Sequence, residues 1–143
     1  MASKRKRAES ILPPIFLGVE GGASHTVCLL SDGGGRILHR VEVGPCNILL
    51  LSDRQFVGIL REIKRAFADL PKPDAICLGL AGAHGEEEFA RILKGARKIW
   101  PHTPIKATHD LETALSSIES IRPSANPTPP RVLVLSGTGS CFL

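Results

Sequence analysis

The spacing of the apolar residues changes at residue 52, and this change limits the folds open to the chain. Before it, apolar segments at 15–20, 25–31 and 36–43 are separated by short turns of small residues. The second turn carries three consecutive glycines after Asp32, and glycine supplies the positive φ that tight hairpins require. We therefore predict three sequential antiparallel strands.

After residue 52, helical segments alternate with short apolar strands. Ser52 and Gln55 have the spacing of a capping box, which predicts the start of a helix. The apolar face of this helix consists of Phe56, Leu60, Ile63, Phe67 and Leu70. A second helix is marked by Phe89, Leu93, Ala96 and Trp100. Strands are predicted at 75–80 and 104–108, and a third helix begins at or near Asp110. The order β-β-β-α-β-α-β-α predicts an α/β fold, with a mixed sheet of three antiparallel strands followed by parallel strands and flanking helices.

Length and proline content predict the domain organisation. The chain has 143 residues, and four prolines fall in the nine residues 122–130. We predict a disordered basic tail at 1–14, a main domain at 15–122 and a proline-rich linker at 123–130. Residues 131–143 again read as strand, small-residue turn, strand, with the second strand cut short at residue 143.

The charge of the chain is concentrated in its tail. The formal net charge is +4, and the run from Lys4 to Arg7 alone supplies four positive charges. The remainder is near neutral, which argues against a nucleic-acid-binding face. We interpret the tail as a solvated segment, with a nuclear signal or an RNA contact as the alternatives. No apolar run reaches the ~18 residues of a membrane helix, so no membrane contact is predicted.

The four cysteines at 28, 46, 77 and 141 form no C-x-x-C pair. This spacing is not typical of a metal knuckle or a compact disulfide framework. Buried, reduced thiols are the simplest interpretation, and they favour a reducing compartment. Because the basic N-terminus lacks a following apolar segment with a cleavage site, secretion is not predicted and a cytoplasmic location is expected.

Two turns rich in Gly, Ser and Thr carry the chemistry, at 21–24 and 137–140. Glycine lets backbone N–H groups approach an anion closely, and hydroxyls add further donors. Either turn alone is commonly no more than a turn. Together, with Glu20 before the first turn and Asp110 after a strand, they predict a polyphosphate site. No P-loop, dinucleotide fingerprint or zinc motif is present in the sequence.

These residues carry a family resemblance. Residues 19–26 (VEGGASHT) resemble the phosphate-1 hairpin of the sugar kinase/Hsp70/actin superfamily, and residues 135–140 (LSGTGS) resemble its phosphate-2 hairpin. Within that superfamily the chain is most similar to N-acetylglucosamine kinase and the BadF/BadG/BcrA/BcrD ATPase family, over residues 15–143. The resemblance implies a ribonuclease-H-like (actin-like ATPase) domain. It also implies that residues 131–143 are the truncated start of a second ATPase domain, so the chain is expected to be the N-terminal part of a longer protein.

The resemblance also implies roles for individual residues, with ATP and Mg²⁺ as cofactors. The phosphate contacts would be Gly21, Gly22 and Ser24 in the first turn and Gly137, Thr138 and Gly139 in the second. The sugar contacts would be Asn47, Asp110 and Ser140. Asp110 would also be the catalytic base, because phosphoryl transfer needs a carboxylate that orients and deprotonates the attacking hydroxyl. Glu20 would lie near Mg²⁺ and contact it through water.

The chain departs from the family pattern at two positions. Ala23 stands where a third glycine is usual, and it would be strained if that position needs a positive φ. Cys141 stands where these kinases often carry asparagine. From the residues alone, ordinary roles also remain open: a helix N-cap for Asp110, a turn residue for Asn47 and a surface acid for Glu20.

The predicted function is an ATP-dependent sugar kinase that transfers the γ-phosphoryl group to a hexosamine hydroxyl. The alternatives are a BadF-type ATPase that activates an acyl-CoA dehydratase or reductase, and a non-enzymatic sugar or nucleotide sensor. The expected partners are a sugar substrate and the missing C-terminal ATPase domain, with a homodimer as a further option.

Overall fold

The computed structural model describes residues 13–117 and two short strands near the C-terminus. Its elements in chain order are β1 (Ile15–Gly21), β2 (Thr26–Asp32), β3 (Ile37–Val43), α1 (Asp53–Ala66), β4 (Ala75–Leu80), α2 (Glu86–Arg97), β5 (Ile105–Thr108), α3 (Asp110–Ser117), β6 (Val134–Ser136) and β7 (Ser140–Phe142). The predicted order of elements is confirmed. The predicted tail before residue 13, the end of the third helix beyond 117 and the proline-rich linker lie outside the described residues.

The first five strands form one sheet in the order β3-β2-β1-β4-β5. β2 runs antiparallel to both β1 and β3, whereas β4 runs parallel to both β1 and β5. This is the predicted mixed sheet. The central strand β1 therefore ends at the same edge as β4 and β5. β6 and β7 pair with each other as a separate antiparallel hairpin.

One face of the sheet is buried beneath α1 and α2. Leu17 and Val19 of β1 point into this core, where α1 contributes Phe56, Leu60 and Ile63. The capping box at Ser52 and Gln55 is present and starts α1 as predicted. The core therefore lies between the sheet and these two helices.

The second helix buries Ala96, one of the predicted apolar residues, together with Ile92, which was not predicted. Ile92 and Ala96 are its buried apolar residues, while Phe89 and Leu93 are only half-buried. Gly95 lets α2 approach α1 closely, because a Cβ at this position would lie 2.7 Å from the ring of Phe56.

The opposite face of the sheet carries α3, which contacts β4 and β1. Its Thr113 lies directly over Gly79 of β4, where a Cβ on the glycine would overlap the threonine hydroxyl. The same hydroxyl donates to the carbonyl oxygen of His109. Gly79 thus sets how closely α3 approaches the sheet.

Candidate functional site

Most of the predicted site residues that the structure describes meet at one edge of the sheet. β1, β4 and β5 are parallel, so their carboxyl ends lie together, and open α/β sheets bind ligands at this edge. Three backbone hydrogen bonds join the segments that follow these strands. Ala81 N donates to Gly21 O at 2.7 Å, Cys46 N to Gly22 O at 2.9 Å, and Ile48 N to Ala81 O at 3.0 Å. The first turn, the loop after β3 and the loop after β4 therefore form one connected rim.

Gly21 and Gly22 are needed for close backbone packing. A Cβ on Gly21 would lie 2.6 Å from the side chain of Leu80 and 2.8 Å from the carbonyl oxygen of Cys46. Gly22 N donates to His25 O at 3.0 Å, which closes the turn. These two predicted phosphate contacts thus use their peptide groups within the rim.

The donors that remain in the first turn belong to Ala23, Ser24 and His25. All three are exposed, and within the described part of the chain their backbone N–H groups have no acceptor. Ser24 Oγ lies 2.9 Å from Nδ1 of His25, so the imidazole orients the hydroxyl. No non-glycine residue among those described has a positive φ, and Ala23 therefore fits the turn without backbone strain. Sequence reasoning did not assign His25 a role; its position beside Ser24 was the available signal.

Asn47 lies in the loop after β3 with its side chain half-buried against Gly82. Its Oδ1 accepts the backbone N–H of Leu49 at 3.0 Å, which fixes the orientation of the amide. Gly82 has a φ of +82°, and a Cβ there would collide with this same oxygen. Across residues 13–117 the amide nitrogen of Asn47 has no acceptor.

Arg91 of α2 holds the loop that carries Asn47, and sequence reasoning missed it. Its Nη1 donates to Ile48 O at 2.6 Å, its Nη2 donates to Leu51 O, and its Nε pairs with the carboxylate of Asp53 at 2.6 Å. The guanidinium in turn holds the pKa of Asp53 below its usual value. Because these partners lie about 40 residues away along the chain, no local motif could have indicated the contact.

Asp110 is the first residue of α3 and is half-buried. It is not the helix cap: Nδ1 of His109 accepts the N–H of Glu112 at 3.1 Å, which is the capping contact. One carboxylate oxygen of Asp110 accepts the N–H of Leu111 at 3.0 Å. The other has no partner among the residues described. Capping of α3 therefore does not use the carboxylate of Asp110.

Glu20 precedes Gly21 in β1, pairs in register with Gly79 and is exposed. It borders a small cavity of about 110 Å³ that also touches Thr113 of α3. In the described part of the chain no three His, Cys, Asp or Glu side chains are grouped to hold a metal ion.

The second small-residue turn is only partly described. Gly137, Thr138 and Gly139 lie outside the described residues. Ser140 is the first residue of β7 and pairs with Ser136 of β6. The two strands predicted in this segment are thus present as β6 and β7. Contacts of the segment to a ligand remain a prediction.

The described cysteines are free thiols. Burial raises the pKa of both Cys28 and Cys46 to about 12, so both stay protonated at neutral pH. Burial also raises the pKa of Cys77, which is only half-buried.

Among the described helices, none has the length and apolarity needed to cross a membrane.

Comparisons with known proteins agree with the resemblance seen in the sequence. An N-acetylmuramic acid/N-acetylglucosamine kinase of Clostridium acetobutylicum is 29% identical over 132 residues, which covers 88% of this chain and 41% of the relative. A crystal structure of a candidate N-acetylglucosamine kinase from Chromobacterium violaceum matches with a TM-score of 0.57 and 25% identity, over 91% of this chain and 44% of that one. The glucokinase of Balamuthia mandrillaris shares the fold at a TM-score of 0.55 and 15% identity, over 80% of this chain and 34% of its own. No protein-family model matches the chain.

These findings confirm the resemblance to N-acetylglucosamine kinases and the ribonuclease-H-like α/β fold. The chain spans less than half the length of each of these relatives.

Proposed function

We propose that this chain supplies the sugar-binding edge and the first phosphate-binding turn of an ATP-dependent sugar kinase. The reaction would transfer the γ-phosphoryl group of ATP to a hydroxyl of a hexosamine. The observation that carries the proposal is the joined rim, which brings the turn at 22–25 against the Asn47 loop through the Cys46–Gly22 hydrogen bond. Similarity to N-acetylglucosamine kinases supports the substrate class.

Phosphate binding falls to the exposed side of the first turn. The backbone N–H groups of Ala23, Ser24 and His25 and the hydroxyl of Ser24 are donors clustered in one short turn. Such clusters form anion-binding concavities without a helix N-terminus. Mg²⁺, when bound with ATP, would neutralise charge on the transferring phosphoryl group. Glu20 would hold its water shell. The turn formed by Gly137, Thr138 and Gly139 is proposed to close on the phosphates from the second domain, with Ser140 beside the sugar.

Sugar binding and proton transfer fall to Asn47 and Asp110. The amide nitrogen of Asn47 would donate to a sugar hydroxyl, because its oxygen is held by Leu49. One carboxylate oxygen of Asp110 is hydrogen-bonded to the N–H of Leu111, and the other oxygen would accept the proton of the attacking hydroxyl. Both groups are positioned by contacts to their own backbone, which keeps them in place before substrate arrives.

An acyl-CoA-activating ATPase with a bridging iron–sulfur cluster is not favoured. Such a cluster needs accessible cysteine thiolates. Cys28 and Cys46 are fully buried in the core, and burial raises the pKa of both to about 12.

The activity is tested by measuring ADP release from the natural, full-length protein in the presence of a hexosamine. N-acetylglucosamine, glucosamine and glucose are compared as acceptors. Asp110→Asn should lower kcat by about 100-fold or more, since general bases contribute about 10²–10⁴. Asp69→Asn, which changes an exposed carboxylate after α1, is the matched control and should leave kcat unchanged. Full turnover in the Asp110→Asn protein would refute the base assignment.

Sugar binding can be tested separately on the 143-residue chain by NMR. The chain has two asparagines and one glutamine, so only three side-chain amide pairs appear in its spectrum. A hexosamine should shift the Asn47 pair saturably and leave the Gln55 pair in place. A spectrum without any shift of the Asn47 pair would remove Asn47 from the sugar site.

A further inference from the structure

A cavity of about 310 Å³ opens at the sheet edge opposite the candidate site. It lies between the segments that follow α1 and α2, which lead into the amino ends of β4 and β5. Its floor is apolar and comes from Leu17, Leu30, Phe67 and Trp100. The side chains of this floor are at most 7% exposed. The cavity is therefore a formed concavity in the core of the domain, remote from the rim.

Two lysines line this cavity, and further basic residues lie beside it. Lys64, Lys72 and His102 line it, and a shallow groove continues from it along α1. The groove shares Lys64 with the cavity and adds Arg61, Arg65 and Lys98. Within the described part of the chain, no Asp or Glu lines either the cavity or the groove. We call the two together the basal groove.

Lys64 stands where the cavity meets the groove. Its Nζ donates to the carbonyl oxygen of Ile99 at 2.8 Å, which fixes the side chain between α1 and the segment after α2. This contact neutralises no charge, because its acceptor is a peptide oxygen. In the described residues, Arg61, Arg65, Lys72 and Lys98 form no ion pair within 4 Å. Basic side chains outside any such ion pair therefore lie at the mouth of the apolar cavity.

The volume of the cavity and the positive charge of its lining together indicate a class of ligand. A volume of 310 Å³ corresponds to about ten water molecules, at roughly 30 Å³ each. Small-molecule sites typically combine an apolar cavity of about this size with a few polar groups that fix orientation. Several adjacent cations favour a dianion over a single negative charge.

We propose that the basal groove binds a phosphate monoester with a compact apolar body. The apolar body lies against Phe67 and Trp100, and the phosphate lies among Lys64, Lys72 and Arg65. The site is separate from the rim, so this inference does not depend on the proposed kinase activity. A polynucleotide does not fit the same features, because it would leave the apolar floor unfilled.

Trp100 provides a direct test because it is the only tryptophan in the chain. Its fluorescence is measured while the 143-residue chain is titrated with n-octyl phosphate below its micelle concentration. We expect a saturable change in Trp100 emission. n-Octanol, which lacks the charge, should bind at least about tenfold more weakly, and inorganic phosphate, which lacks the apolar body, should cause no change. Equal affinity for octanol and octyl phosphate, or a titration without saturation, would overturn the proposal.

Charge variants test the placement of the phosphate. Arg65→Gln combined with Lys72→Gln should weaken octyl phosphate binding about tenfold or more. The matched control combines Arg54→Gln with Arg97→Gln, which removes the same charge from exposed positions outside the groove. The control should retain wild-type affinity. If the two double variants lose affinity equally, the attraction is a general charge effect and the assigned site is wrong. Far-ultraviolet circular dichroism confirms that each variant is folded.

Discussion

Nη1 of Arg91 lies 2.6 Å from the carbonyl oxygen of Ile48, the residue that directly follows Asn47. The same guanidinium reaches Leu51 and Asp53. A single side chain from α2 therefore ties both ends of the loop that presents Asn47. The arginine donates charge-assisted hydrogen bonds to backbone carbonyl oxygens of this loop. We therefore expect the loop to keep its conformation without a ligand.

Arg91→Ala should loosen this loop and lower stability. Two carbonyl oxygens and one carboxylate lose their donor, so we expect a loss of about 1–3 kcal/mol in the free energy of unfolding. Amide hydrogen exchange at Leu49 and Leu50 should accelerate. Arg97→Ala, an exposed residue of the same helix, is the control. Unchanged exchange at both amides in Arg91→Ala would show that the loop does not depend on this contact.

Gly82→Ala and Gly35→Ala separate backbone strain from collision with Asn47. Both glycines have nearly the same φ, +82° and +83°, but only Gly82 lies against the side chain of Asn47, since Gly35 faces open space. The shared strain should cost about 1–2 kcal/mol in each variant. Gly82→Ala should lose a further 1–3 kcal/mol or so, because Asn47 must move. Urea unfolding measures both variants, and equal losses would contradict a tight Asn47–Gly82 contact.

Gly21→Ala and Gly18→Ala make a second pair within one strand. A Cβ at Gly21 would meet Leu80 and Cys46, whereas a Cβ at Gly18 has no neighbour within 4 Å. We expect Gly21→Ala to destabilise the chain by about 1–3 kcal/mol through overpacking. Gly18→Ala should stay within about 0.5 kcal/mol of wild type. Thermal unfolding measures the stability of both variants. If Gly21→Ala does not lower the stability, the segments around Gly21 can move apart to accept a Cβ, and the close packing inferred here is wrong.

Glu112 makes a small contribution to stability that depends on pH. Hydrogen bonds from Thr108 and then Lys106 hold the pKa of its carboxyl below the usual value. A lowered folded-state pKa stabilises the fold above the unfolded pKa of about 4.3, and the gain is lost as pH falls through the folded value. Because the ion pair is largely exposed, Glu112→Gln should cost less than about 1 kcal/mol at pH 7. This difference should shrink below pH 4.

The control for this pH dependence is Glu62→Gln on α1, an exposed acid outside the ion pairs of the described residues. Its unfolding free energy should follow that of wild type across the same range. A cost of Glu112→Gln that grows towards low pH would contradict a lowered pKa for the Glu112 carboxyl in the folded chain.

The sequence predicted the secondary-structure order well because those signals are local. The glycines after Asp32, the capping box at Ser52 and the apolar spacing of α1 each act over a few residues. The start of α3 at Asp110 was also correct, but the capping residue proved to be His109. In α2 the predicted Ala96 is buried, but the buried Ile92 and Gly95 were not predicted. Gly95 lies against Phe56 of α1, and a contact of this kind depends on the partner helix.

The sequence by itself determined the order of elements, and its family resemblance singled out Gly21, Asn47 and Asp110 as candidate site residues. Only the tertiary structure decided which of their polar groups are already hydrogen-bonded within the fold. The peptide groups of Gly21 and Gly22 are used within the rim, whereas the N–H groups of Ala23 and Ser24 are not. Turn and helix signals come from the preferences of neighbouring residues. The state of a donor depends on which distant segments meet at the sheet edge, and that follows from strand order and register.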